Sequence, residues 1–110
     1  IDYDKLVIAT GSAPRMTDFP NIKLKNIFTL RTLEDGIAIK ETMQKVNNIT
    51  IIGGGYISIE LLEAFVKNGK KVTLIEKMPY ILSVFDEEIS SLLLQPFHQR
   101  TRRVVIEQHA

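Results

Sequence analysis

Apolar positions change their period several times along this chain, and each change marks an element. Leu6-Val7-Ile8-Ala9 is a continuous apolar run stopped by Thr10-Gly11-Ser12 and Pro14, which predicts a short buried strand. Residues 16–25 read as loop, with Pro20 and Asn21 as turn formers, and Ile27–Leu30 as a second short strand. Thr32 stands where a helix cap belongs, and Glu34 and Asp35 follow in the first turn, where negative charge suits the helix dipole. Leu33, Ile37 and Met43 then alternate with Lys40 and Glu41, giving that helix an apolar stripe and a polar face as far as Asn47-Asn48.

From Ile49 the pattern becomes regular. Ile49–Ile52 is β-branched and predicts a buried strand. Three glycines follow, and from Tyr56 the period is helical: Ile57, Leu61, Leu62, Phe65 and Val66, up to the stop signal Asn68-Gly69. Val72–Ile75 reads as another buried strand closed by Glu76, and Met78–Phe85 as a loop. Asp86 precedes a third helix with Glu87 and Glu88 in its first turn and Ile89, Leu92 and Leu93 on one face; Pro96 should kink or end it near Gln95. Val104–Ile106 is the last expected strand. Strand, glycine turn, helix, strand, helix, strand is the order of an α/β protein, a parallel sheet with flanking helices and right-handed crossovers.

Composition narrows the function classes. Hydrophobic residues make up 45% and charged residues 25% of 110 positions, ordinary values for one small globular domain. Lys plus Arg number 14 against 13 Asp plus Glu, a net charge of +1 that argues against a nucleic-acid surface. The basic cluster Arg100, Arg102 and Arg103 reads as a solvated face. With no cysteine there is no disulfide or thiol chemistry in these residues, and His98 and His109 lack the spacing of a metal site. No run approaches the roughly 20 apolar residues of a membrane span, so a cytoplasmic protein without membrane contact is expected. The chain opens at Ile1 without an initiator methionine and ends just after an apolar burst, which reads as a piece of something longer.

The chemistry lies in TIIGGGYISIE, residues 50–60. Gly53, Gly55 and Ser58 occupy the three positions of a G-x-G-x-x-G pattern, with serine for the last glycine. That pattern alone is weak, but here a strand precedes it, a helix follows, and an acid, Glu76, closes the next strand. Gly53 permits the turn out of the strand, and Gly55 lets a pyrophosphate meet backbone amides without a Cβ in the way. Glu76 can accept from an adenosine ribose and would repel a 2′-phosphate, whereas Lys77 could pair with one; the pair favours NADH over NADPH. A tight βα turn with no ligand is the bland alternative.

Four blocks in order, YDKLVIATGSAP, FTLRTLEDG, IIGGGYISIE and VTLIEKMP, resemble the pyridine nucleotide–disulfide oxidoreductases, in particular the branch of NADH oxidases, NADH peroxidases and coenzyme A–disulfide reductases. The resemblance runs from residue 3 to about 94. It implies a Rossmann-like NAD(P)H-binding domain, here partial and truncated at its C-terminal side, from a flavoprotein that also binds FAD. Residues 1–48 would then be a segment of the FAD-domain crossover with a linker helix, and residues 49–110 the NAD(P)H-binding βαβαβ unit. Thr10 and Gly11 would lie beside FAD, and Gly53, Gly54, Gly55 and Ile57 along the dinucleotide. Tyr56 matches an aromatic residue over the flavin face, and Glu60 a carboxylate near flavin and nicotinamide; packing at the helix start and a plain helix carboxylate are the alternatives. Tyr80 or Phe85 could supply a ring to adenine, or Phe85 could join the core. The family's first glycine motif, redox cysteine and dimerisation domain are expected outside these residues, and the parent enzyme is expected to be a homodimer.

Two function classes result. The first is the NADH-binding part of an FAD-dependent oxidoreductase, passing hydride from NADH to FAD, with no catalytic group of its own and no turnover alone. The second is a stand-alone dinucleotide-binding or redox-sensing module, which would leave the ATG block at residues 9–11 without a use.

Overall fold

The structure, a computed structural model, describes residues 2–16, 20–83, 85–98 and 103–106. The chain divides into two units, residues 1–39 and 40–110.

In the first unit the expected strands at Leu6–Ala9 and Ile27–Leu30 do not form. Val7 is 86% exposed, and Leu6 and Ile8 are also open to solvent. An apolar run supplies side chains for a strand but not the neighbouring backbone whose N–H and C=O groups define one. Gly11 has a φ of +72°, the left-handed region that glycine enters without cost. Asn21, the expected turn former, has a φ of 67° and its carbonyl accepts from the Leu24 amide at 3.0 Å.

Helix α1 spans Leu33–Lys45 and starts as expected. The Asp35 carboxylate accepts from the amides of Arg31 and Thr32 at 2.9 Å each, while the Thr32 hydroxyl oxygen accepts from the Asp35 amide at 3.3 Å. This is a capping box with aspartate in the usual Glu/Gln place. Its expected apolar stripe packs less than foreseen, since α1 carries no buried residue and Leu33 is 75% exposed.

The cap makes a prediction about pH. Bonds from the Thr32 and Arg31 amides hold the Asp35 carboxyl below its ordinary value of 3.8, and Glu34 is lowered by its own amide and by the Thr32 side chain. A carboxyl lowered in the folded state adds stability above its ordinary value and loses it as pH falls through the folded value. A carboxyl NMR titration should place the Asp35 midpoint under 3.8, with the Arg31 and Thr32 amide resonances moving at the same pH. A midpoint at or above 3.8 would contradict the cap.

The second unit is a three-stranded parallel sheet in the order β1-β2-β3, with β1 at Asn48–Ile52, β2 at Lys71–Glu76 and β3 at Arg103–Ile106. Helix α2, Tyr56–Lys67, connects the first two strands, and α3, Glu87–His98, the last two. Asn48 pairs with Lys71 and Ile52 with Ile75, and the Gly53 amide extends the ladder to the Ile75 carbonyl at 2.8 Å. Helix α2 packs on β1 and β2. Its buried residues Leu62 and Phe65 share the core with Ile51, Val72, Leu74, Ile81 and Leu82.

The central strand buries Val72 and Leu74, two residues apart and so on one face. The edge strand β1 is less buried than its sequence suggests, for only Ile51 is buried and Ile52 is 58% exposed. Apolar character is necessary for a covered strand, but cover is supplied by neighbours on both sides. Helix α2 ends at Asn68 in a Schellman arrangement: Gly69, φ +74°, donates to the Val66 carbonyl and Lys70 to the Phe65 carbonyl, each at 3.0 Å.

Helix α3 begins after Asp86, whose carbonyl accepts from the Ser90 amide at 3.0 Å. It does not end near Gln95 but continues through Pro96 to His98. Without an N–H, Pro96 leaves the carbonyl four residues before it without its helical donor, so the helix runs past it with one backbone bond fewer. Arg100, Arg102 and His109 lie outside the described residues. Among the described residues no helix is long and apolar enough to cross a membrane.

Candidate functional site

The three glycines do three different jobs. Gly53 ends the strand ladder and turns the chain at a φ of +95°, as its position in the pattern requires. Gly54 is buried, and its need for hydrogen in place of a side chain comes from packing. A Cβ there would lie 2.9 Å from Glu76 Oε2, 2.9 Å from Ile81 Cγ2 and 3.2 Å from Ile81 Cα. Gly55 is the reverse case: a Cβ on it would meet nothing within 4 Å. It is the N-cap of α2, in extended backbone at φ −79° and ψ 179°, and has no side chain to cap the helix.

The first helical bond runs from the Ile59 amide to the Gly55 carbonyl at 3.1 Å. The amides of Tyr56, Ile57 and Ser58 therefore start without a helical acceptor, at the positive end of the helix dipole. No acidic residue stands in that first turn. The result is a patch of free donors behind open ground, which suits an anion. Ser58 is half-buried, in keeping with its place in the motif.

Glu76 closes β2 and reaches back to the turn. Its Oε2 accepts from the Gly54 amide and its Oε1 from the Met78 amide at 2.7 Å. The carboxylate is thus held at both oxygens, each of which keeps a lone pair for one more donor. Lys77 beside it is exposed, and Tyr80 is half-buried. Tyr56 and Glu60 lie four residues apart on one face of α2 and are both exposed. Ile57 is 56% exposed at the same helix start. Thr10 and Gly11 belong to the other unit, where both are exposed and a Cβ on Gly11 would come 3.0 Å from Arg31 Nη2.

Several residues at the turn carry no motif. The Leu82 amide donates to the Gly54 carbonyl at 2.8 Å, so the loop after β2 is tied to the middle glycine. Ile81 is fully buried against that glycine, and Phe85 sets its ring edge-on to Tyr56, with centroids 5.7 Å apart and planes at 82°. The apolar pair Ile81-Leu82 inside a loop was the available signal, since loops rarely bury two consecutive aliphatic residues.

A parallel sheet whose first strand runs through a glycine turn into a helix, with an acid closing the second strand, places this unit in the Rossmann-like α/β class. The chain matches the pyridine nucleotide-disulphide oxidoreductase family over residues 1–108 and belongs to that family. It is 42% identical over 95 residues to an NAD(P)H coenzyme A polysulfide/persulfide reductase of Pyrococcus horikoshii, an alignment covering 84% of this chain and 21% of the relative. With an NADH oxidase of Enterococcus faecalis it shares 40% identity over 85 residues, 77% of this chain and 19% of that one. The water-forming NADH oxidase of Lactobacillus brevis, solved with NADH bound, superposes with a TM-score of 0.84 at 31% identity, over 93% of this chain and 23% of that one. The relatives fall in the branch that the sequence blocks resemble. The chain spans about a fifth of the length of these curated relatives.

Proposed function

We propose that this chain is the NAD(P)H-binding part of an FAD-dependent oxidoreductase, similar in kind to the NADH oxidases and coenzyme A-linked reductases among its relatives. The observation that carries the reading is the open ground at Gly55 before the free amides of Tyr56, Ile57 and Ser58, with the anchored Glu76 carboxylate beside the same turn. These residues fit a dinucleotide: the amides would hold its pyrophosphate, and Glu76 would accept from its adenosine ribose. Gly54 would serve by letting Ile81 and Glu76 close on the turn, rather than by touching the ligand. Tyr56 and Glu60 would face the nicotinamide end, and Thr10 and Gly11 would lie along FAD in the longer protein, with residues 1–48 belonging to the FAD-domain crossover.

When bound, the nicotinamide supplies a hydride for the flavin. This chain's own work is to bind and orient, and it turns nothing over alone. A Glu76 carboxylate held by two amides cannot swing away from a 2′-phosphate, which supports NADH over NADPH.

The test is a calorimetric titration with NADH, and with NADPH and FAD in parallel. Saturable binding of NADH, weaker binding of NADPH and no binding of FAD are expected. Glu76→Ala should lower NADH affinity about tenfold or more, the worth of hydrogen bonds to a charged group, and should narrow the gap to NADPH. The narrowing separates ribose recognition from mere loosening of the turn. Equal affinities for both dinucleotides in the parent chain would remove the assigned role of Glu76.

A further inference from the structure

Tyr56 opens α2 and is 55% exposed, so little around it restrains its ring. Its amide is also the first of the free donors at the glycine turn. The direction of this ring therefore decides whether it lies across those donors or beside them. Among the described residues, the aromatic partner of Tyr56 is Phe85.

The backbone fixes where Phe85 stands. The Leu82 amide donates to the Gly54 carbonyl, and the Leu82 carbonyl accepts from the Phe85 amide, both at 2.8 Å. The fully buried Ser90 hydroxyl also donates to the Leu82 carbonyl, at 3.5 Å. Leu82 itself has a φ of 49°, a left-handed conformation unfavourable for leucine. Such outliers persist where the surroundings over-determine them and concentrate at ligand clamps. Here the outlier lies between the bond to the glycine turn and the turn that delivers Phe85. A core role for Phe85 does not explain the arrangement, because the residue is 37% exposed.

We infer that Phe85 is a positioning residue for Tyr56: the Leu82 turn, bonded to Gly54, sets the Phe85 ring so that it holds the Tyr56 ring beside the free amides of the glycine turn. The inference rests on the dinucleotide reading above. Phe85 touches Tyr56 and acts through it. Loss of the pair frees the Tyr56 ring to rotate over the amides, and the dinucleotide must then select the open orientation from a mixture.

The experiment is a double-mutant cycle of Phe85→Leu and Tyr56→Leu, read by NADH titration, with the Tyr56 ring protons followed by NMR. Phe85→Leu should weaken NADH binding about two- to tenfold, the span of an edge-on aromatic pair. It should shift the Tyr56 ring resonances before any ligand is added, and Phe85→Tyr should restore both. In the Tyr56→Leu background Phe85→Leu should change nothing further, a non-additivity that a purely structural role would not produce. Equal losses in both backgrounds, or unchanged binding by Phe85→Leu, would overturn the inference while leaving the dinucleotide site standing. A parent chain that does not bind NADH would overturn the dinucleotide reading, and this role for Phe85 with it.

Discussion

Gly54→Ala should destabilise the protein by about 2–3 kcal/mol, the upper range for forcing an extra carbon into a packed site. The backbone at Gly54 is not left-handed, so alanine is excluded by space and not by torsion. The new Cβ would collide with the Ile81 side chain and, at 3.2 Å, with the Ile81 Cα. A flexible side-chain tip can yield at low cost, but a backbone atom moves only with its segment. Moving that segment strains the bond from the Leu82 amide to the Gly54 carbonyl and disturbs the contact of Glu76 with the same residue. Against a total stability of roughly 5–15 kcal/mol, such a loss is large. A thermal melt should show it as a fall of about 10–20 °C. A melt within two or three degrees of the parent would mean that Ile81 does not close on the turn as described.

Gly55→Val should do the opposite, leaving the fold nearly intact while NADH affinity drops by about a hundredfold or more, equivalent to roughly 2.7 kcal/mol. Nothing in the protein lies within 4 Å of the added Cβ, and extended backbone at φ −79° suits a β-branched residue. The fold loses only the preference of an N-cap for glycine over valine, about 1 kcal/mol or less. The ligand loses far more, because two methyl groups would stand before the amides of Tyr56 and Ile57 and keep an anion from reaching them. Together the neighbouring glycines make a sharp pair: one substitution should cost stability and the other binding. Undiminished NADH binding by Gly55→Val would remove the pyrophosphate from this turn.

Local signals read well from the chain alone. The switch from a β-branched run to helical spacing at Tyr56 placed β1 and α2, and Asn68-Gly69 placed the end of α2, because caps, turns and periodicity depend on residues only a few positions apart. Thr32 and Asp35 marked the start of α1 for the same reason. Gly53 and Gly55 were assigned different tasks from their places in one motif, and the structure gives them a left-handed turn and open space respectively. Non-local pairing was harder. Leu6–Ala9 and Ile27–Leu30 have the composition of strands and form none, and of the three isoleucines of β1 only Ile51 is buried.

The amino-acid order was thus enough for the α/β class, the sequence of elements from Asn48 onward, and the glycine turn with its distant acid. Those features follow from short-range periodicity and from motif spacing. Folding had to add why the middle glycine is a glycine, what Glu76 holds, and which ring meets Tyr56. Gly54 meets Ile81, Glu76 bonds Gly54, and Phe85 reaches Tyr56 only after a parallel crossover brings the end of β2 beside the end of β1. Contacts between segments more than twenty residues apart leave no periodic trace in the chain, because each partner is selected by the space and donors that the other provides.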